Sequence, residues 1–370
     1  MKQIPFFNYP ALFAKEEKDL MPIINDVLAR GAYIMQKDLF EFEENLAKYL
    51  GVKHCIGVAD GTIALMMGLR AAKVTEGDEV IVPSHTFVAT AAAAHHVGAK
   101  VVLADCGRDH LIDPESILKK ITKKTKAIMP VQLNGRTANM DMICKIADDH
   151  GLKIVEDSAQ ALGSKFKGKF AGTFGVSGSC SFYPSKTLGC FGDGGAVFTD
   201  NDEVADYIRL LRDHGRSPTT GNVIEWGYNS RLDNVQAAVL NYKLKTYDQA
   251  ITKRRALASI YTERLSDIPE LLLPPGPNSD PNHFDIFQNY EVEAEQRDAL
   301  RKHLDDNGVK TIIQWGGKTL HQFKDLKLND DVPRTEEMTK KFFLLPMNTS
   351  LENSDVEYIC DVITKFYKKN

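Results

Sequence analysis

A lone lysine, Lys186, stands in the stretch SFYPSKTLGCFGDGGAVFTD (residues 181–200), behind a short apolar run and ahead of four glycines between Gly189 and Gly195. An amine does nucleophilic or basic chemistry only when it can lose its proton. Such a lysine must therefore sit where burial or nearby positive charge lowers a pKa that is ordinarily about 10.4. Asp157 closes a second apolar run, LKIVEDS. In a third segment, ADGTIAL, Gly61 and Thr62 open a helix, whose first N–H groups form a natural anion site. Each feature alone is ordinary: a surface charge, a strand-end acid, a glycine turn. Together they match the needs of pyridoxal phosphate, whose aldehyde bonds to a lysine amine, whose ring nitrogen pairs with an acid and whose phosphate needs a cradle.

Three such groups meet only if the elements carrying them end at one place. Short β-branched runs recur as EGDEVIVPS, AKVVLADC, KAIMPVQLN, LKIVEDS, SGSCSFYPS and GGAVFTD, with helix-like segments TIALMMGLRAAK, PESILKKIT and NMDMICKIADDHG between several of them. That alternation predicts a mostly parallel sheet covered on both faces, with ligands at the carboxyl ends of the strands. EEKDLMPIINDVLARG reads as an amphipathic helix ahead of this region, and NVQAAVLNYKLKTYDQAITKRRALASIYTERL as a long helical stretch after it. Beyond the proline-rich IPELLLPPGPNSDPNHF, the segments IFQNYEVE and KTIIQWG read as strands, and QRDALRKHLDDNG and SDVEYICDVITKFYKK as helices of a smaller α/β unit. The expected division is residues 1–250 for the N-terminal segment and large domain, and 251–370 for the linking helix and small domain.

Composition narrows the partners. The chain has 370 residues and is 43% hydrophobic, enough for a large core, and its formal charge of −4 offers no basic surplus for nucleic acid or an anionic membrane. No segment approaches the length of a membrane span, and the N-terminus lacks a signal-peptide layout, so a cytoplasmic location is expected. The six cysteines are scattered without a C-x-x-C pair, which argues against a disulfide framework or a thiolate metal site, and no metal is expected.

In order along the chain, FEENLAKYLGVKHCIGVADGTIALMMGLRA, GDEVIVPSHTFVATAAAAHHVGAKVVLAD, MPVQLNGRTANMDMICKIADDHGLKIVEDSAQALGS, SFYPSKTLGCFGDGGAVFTD and WGYNSRLDNVQAAVL resemble the DegT/DnrJ/EryC1/StrS family of pyridoxal-phosphate-dependent aminotransferases acting on nucleotide-linked keto-sugars. The resemblance implies a seven-stranded sheet in the large domain. It also implies that Lys186 bonds the cofactor and then moves the α-proton, that Asp157 pairs with the ring nitrogen, and that Gly61, Thr62 and Ser181 hold the phosphate. By the same register His85 would stack on the ring, Gln160 would lie on its opposite face, and Asn229 would reach the phosphate of a neighbouring subunit. That last role requires a homodimer with shared sites, and the implied amino donor is L-glutamate. The alternative for Asn229 is a helix cap.

The sequence departs from the family pattern at Asp60, Gln132, Asn134, Gln314 and Trp315, which with His321 are expected to border the sugar pocket and to set its choice of substrate. A sugar dehydratase of the same fold would carry histidine in place of Lys186. A ligand-sensing regulator would tolerate erosion of the lysine, the acid or the phosphate turn, and none is eroded. A nicotinamide dehydrogenase would need G-x-G-x-x-G after an early strand, whereas GCFGDGG lies late and reads as a turn between two strands.

Overall fold

A computed structural model describes residues 2–368 of the chain. Seven strands form the central sheet in the order His54–Val58, Gly195–Thr199, Ser177–Ser181, Lys153–Asp157, Thr125–Ile128, Glu79–Pro83, Lys100–Ala104. Gly195–Thr199 runs antiparallel to both neighbours, and the five strands from Ser177–Ser181 to Lys100–Ala104 are mutually parallel. Six of the seven were legible as apolar runs. The edge strand His54–Val58 was not read as one.

Strand residues alternate between two helical layers, as a period of two demands. Val80 and Val82 pack with Leu65, Leu69 and Ala93 on one side, while Ile81 packs with Ile128, Ile143 and Ile146 on the other. Every position of Glu79–Pro83 is buried, and each such Val or Ile contributes about 1.5–3 kcal/mol of transfer free energy. The result is a rigid sheet whose parallel strands all end at one edge. Because Gly195–Thr199 runs the other way, it begins at that same edge.

The smaller unit has a three-stranded antiparallel sheet in the order Leu271–Leu272, Tyr290–Ala294, Phe342–Leu345. Helices Arg297–Asp306 and Asn353–Lys368 cover it, and Ile4 from the N-terminal segment joins its core. The expected long helix is two, Asn234–Leu244 and Tyr247–Leu265. The expected division at 250/251 falls inside the second. Tyr247 and Ile251 pack into the large unit's core, and Leu257, Tyr261 and Leu265 into the small unit's. KTIIQWG is not a strand: Ile312 makes a single bridge to Leu344, and Gln314–Gly317 is a short 3-10 turn with Trp315 and Gly316 at positive φ. The ladder position goes instead to Phe342–Leu345 (FFLL), a run without period-two contrast.

Candidate active site

The carboxyl edge of the sheet opens into a cavity of about 720 Å³. Asp60, Gly61, Thr62, Asp157, Gln160, Ser181, Lys186, Gln314 and Trp315 all line it. They come from three different strand ends and, for the last two, from the small unit.

Helix Gly61–Ala71 follows the edge strand directly. Asp60 is its N-cap, and its carboxylate accepts from Ile63 N–H at 3.0 Å. The first internal bond runs from Ala64 N–H to Asp60 C=O, so the amides of Gly61 and Thr62 have no carbonyl partner within the helix and point ahead of it. Asp60 therefore serves the helix end, which accounts for an acid beside an anion site. The glycines here are steric requirements. A Cβ on Gly61 would lie 2.9 Å from the Ser181 Cβ, and one on Gly195 would lie 2.5 Å from the Asp60 carbonyl. The two turns close on each other and bring Ser181 beside the Gly61 amide.

Asp157 ends its strand almost wholly buried, and its Oδ2 accepts from Thr90 Oγ1 at 2.7 Å and Oδ1 from Ala159 N–H at 3.1 Å. Since Thr90 spends its one hydrogen on Asp157, the 2.8 Å contact between Thr86 and Thr90 has Thr86 as donor. Burial pushes the Asp157 carboxyl above the usual carboxylate range, opposed by these donors and by the Lys186 charge. Burial pushes the Lys186 amine below the usual lysine range, opposed by Asp157 and Cys180. A positively charged ring nitrogen between them would hold Asp157 ionised through a charge-assisted bond. The adjacent Glu156 faces the other way, where Gln132 Nε2 and the N–H groups of Gly172, Phe174 and Gly175 bind it at 2.5–3.1 Å.

The amine, the acid, the glycine cradle and a cavity of this size fit pyridoxal phosphate. When bound, that cofactor supplies an electron sink for the carbon next to the transferred nitrogen.

Other expected residues lie elsewhere. His85 is fully buried off the cavity wall, with Nε2 3.0 Å from Glu291 Oε1 and its ring against His110, Trp315 and Phe342. It cannot stack on a ring in the cavity. Two residues on, Phe87 lines the cavity and is 53% exposed. After Pro83 the chain bends at residues 84–86, so His85 stays beneath the edge and Phe87, the residue just ahead of helix Val88–His96, emerges. Gln132 is buried beneath the sheet edge, donating to Glu156 at 2.8 Å and accepting from Ala138 N–H at 2.7 Å, so it holds the fold and not the sugar. Asn134 lies behind the wall, bonded to Gln314, Asn289 and Glu291. His321 is held off the wall by Ser84 and Thr319.

Asn229 is exposed and not on the cavity wall. The helix after it starts at Asn234 with Asp233 as its cap residue, so Asn229 is not a helix cap. The sequence reading missed Phe87, Thr90 and Asn289. For the first two, HTFVAT does not mark the bend ahead of helix Val88–His96 that turns them to the site. For Asn289, which lies far along the chain in the small unit, there was no signal. GCFGDGG does join two antiparallel strands, through residues 182–194.

The model of the DegT/DnrJ/EryC1/StrS aminotransferase family matches residues 14–364. The chain is 36% identical over 373 residues to the dTDP-3-amino-3,4,6-trideoxy-alpha-D-glucose transaminase of Streptomyces venezuelae, covering 99% of this chain and 97% of that one. It is 35% identical over 366 residues to the dTDP-3-amino-3,6-dideoxy-alpha-D-galactopyranose transaminase of Aneurinibacillus thermoaerophilus, covering 98% and 99%. A crystal structure of a DegT DnrJ EryC1 StrS aminotransferase from Brucella abortus superposes with a TM-score of 0.93 at 36% identity, over 99% of this chain and all (100%) of that one. The amine and acid from adjacent strand ends, the glycine turn that opens a helix and this full-length likeness agree: the chain belongs to the DegT/DnrJ/EryC1/StrS aminotransferase family and is a pyridoxal-phosphate-dependent enzyme.

Proposed function

We propose that the enzyme moves an amino group from L-glutamate onto the 3- or 4-keto carbon of a nucleotide-linked deoxy-keto-sugar, in the cytoplasm, on the way to an amino-sugar of a lipopolysaccharide or other glycoconjugate. The observation that carries the reading is the placement of Lys186 and Asp157 on one cavity wall with the Gly61–Thr62 helix start. In this reading the Gly61 and Thr62 amides and the Ser181 hydroxyl bind the cofactor phosphate. Phe87 covers one ring face and Gln160 the other. Asp157 keeps the ring nitrogen protonated, while Thr90, itself held by Thr86, keeps the carboxylate aimed. Lys186 holds the cofactor and then moves the proton at the substrate carbon with its Nζ, which its lowered pKa suits to act as a base.

The cavity extends well beyond the cofactor groups to Phe6, Phe7 and Trp315, leaving room for the sugar. Asn229 serves the partner's phosphate in a homodimer. Two facts support this: its own exposure, and the exposed apolar side chains on the same loop, Val223, Ile224 and Trp226, the last 88% exposed. Apolar groups presented together like this mark an interface. No helix among the described residues is long and apolar enough to cross a membrane, and all six cysteines are unpaired. The test is a panel of dTDP-, UDP- and GDP-linked keto-sugars incubated with L-glutamate and read by mass spectrometry. Conversion of one member to its amino-sugar is expected. Failure of glutamate to aminate any of them would refute the reading.

A further inference from the structure

Glu291 lies in strand Tyr290–Ala294, every position of which is buried. Its Oε1 accepts from His85 Nε2 at 3.0 Å, His110 Nδ1 at 2.6 Å and Asn134 Nδ2 at 3.0 Å, and its Oε2 from Gln314 Nε2 at 2.8 Å. His85, His110 and Glu291 bring three ligand-capable atoms within 4.8 Å of one another, and hydrogen bonds account for all three. Around it the charges alternate. His110 also reaches Glu293 at 2.9 Å, and Glu293 pairs with Arg334. The two glutamates raise the His110 pKa to about 9, and the two histidines hold the Glu291 carboxyl well below its usual range.

An ionised carboxylate only accepts hydrogen bonds, so every amide against it must turn its NH₂ end inward. That one constraint sets the others. Gln314 spends its second N–H on Asn134 Oδ1 at 2.9 Å. Asn289 spends its NH₂ on Asn134 Oδ1 at 2.9 Å and on Gln160 Oε1 at 3.2 Å. Gln160 Oε1 also accepts the Asn134 backbone N–H at 2.9 Å. Gln314, Asn289 and Gln160 all line the cavity. What remains for a ligand is the carbonyl oxygen of Gln314, the carbonyl oxygen of Asn289 and the NH₂ of Gln160.

We infer that Glu291 fixes the orientation of these amides so that Gln314 and Asn289 offer carbonyl acceptors to the hydroxyls flanking the keto carbon of the sugar, a subsite that selects rings still bearing those hydroxyls. The inference rests on the nucleotide-sugar reading above. A hydroxyl donates to each carbonyl, whereas a deoxygenated ring leaves a walled-in acceptor without a partner, which is penalised. Gln314 and Asn289 are then specificity determinants, and Glu291, which touches no ligand, is a positioning residue.

The test is calorimetric titration of the cofactor-loaded protein with dTDP-3-amino-3,6-dideoxygalactose, which keeps the C4 hydroxyl, and with dTDP-3-amino-3,4,6-trideoxyglucose, which lacks it. The wild type is expected to bind the hydroxylated sugar about tenfold or more tightly than the deoxygenated one, the scale of a designed hydroxyl contact. Gln314→Met, which keeps the length but loses the acceptor, is expected to bring that ratio within about twofold, as is Glu291→Gln, which frees the amides to turn. The ratio of two ligands does not move with a merely structural loss, and Gln314→Met carries the test should Glu291→Gln fail to fold. A wild-type ratio near one, or an unchanged ratio in Gln314→Met, overturns the inference. Conversion of the wild-type cofactor to its amino form by L-glutamate is followed separately by absorbance, and its absence would refute the proposed glutamate donor instead.

Discussion

Glu156 and Asp157 are neighbours with nearly the same chemistry, and the alternation of a strand gives them opposite roles. Glu156 turns into a nest of N–H groups that holds the connection after the strand, whereas Asp157 turns to the cavity, where Thr90 and the Ala159 N–H orient it. Asp157→Asn keeps the shape and can still meet Thr90, but it removes the charge that keeps a ring nitrogen protonated. Steady-state turnover is expected to fall on the order of 10²–10⁴-fold, the scale of one lost proton-control group, with the cofactor still bound by absorbance. Near-normal turnover would remove Asp157 from its role. This residue, Lys186 and the Gly61–Thr62 turn were legible in the sequence because each ends or begins an element with a clear pattern. His85 was misread for a different reason: it and Phe87 are two residues apart and would share one face of a strand, and PSHTF does not mark the bend at residues 84–86 that leaves His85 beneath the edge and brings Phe87 to the cavity.

Elements explain which wall residues could be anticipated. Strands at the carboxyl edge follow from apolar runs ended by polar residues, so Asp157 and Lys186 were found by reading run ends, and Gly61 and Thr62 by the helix they open. Of the wall contributed by the small unit, Gln314 and Trp315 were expected from the family resemblance alone, because they sit on a turn with positive φ at Trp315, and Asn289, which precedes a strand paired with a distant partner, was not expected. Gln132, by contrast, lies one strand end too deep and bonds to Glu156. The loop ending at Asn229 is the element for which a role beyond one subunit is proposed. Mixing inactive Lys186→Ala with cofactor-weakened Asn229→Ala subunits tests it. If the loop serves the partner, each heterodimer gathers both defects in one site and has one intact site, so tight cofactor binding and activity return on mixing. Heterodimers that form without restoring a tight site would assign Asn229 to its own subunit.

At the scale of the whole molecule, a rigid parallel sheet supplies the cofactor groups, and the small unit closes the other side of the cavity with amides set by a buried carboxylate. Helix Tyr247–Leu265 ties the two together, since its first turns pack on the large core and its last turns on the small one. The α/β architecture was readable because alternating runs and helices leave few topologies. The break between Leu244 and Tyr247 was not, because NYKLKTYDQ contains no Gly or Pro and the break is set by packing. The account as a whole requires that, of the many lysines in the chain, Lys186 bonds the cofactor. Borohydride reduction of the holoenzyme, followed by digestion and mass spectrometry, reads this directly. The added pyridoxyl mass is predicted on the peptide containing Lys186 and on no other lysine, whereas labelling of a different lysine, or of none in a holoenzyme that retains its visible absorbance, would contradict the account.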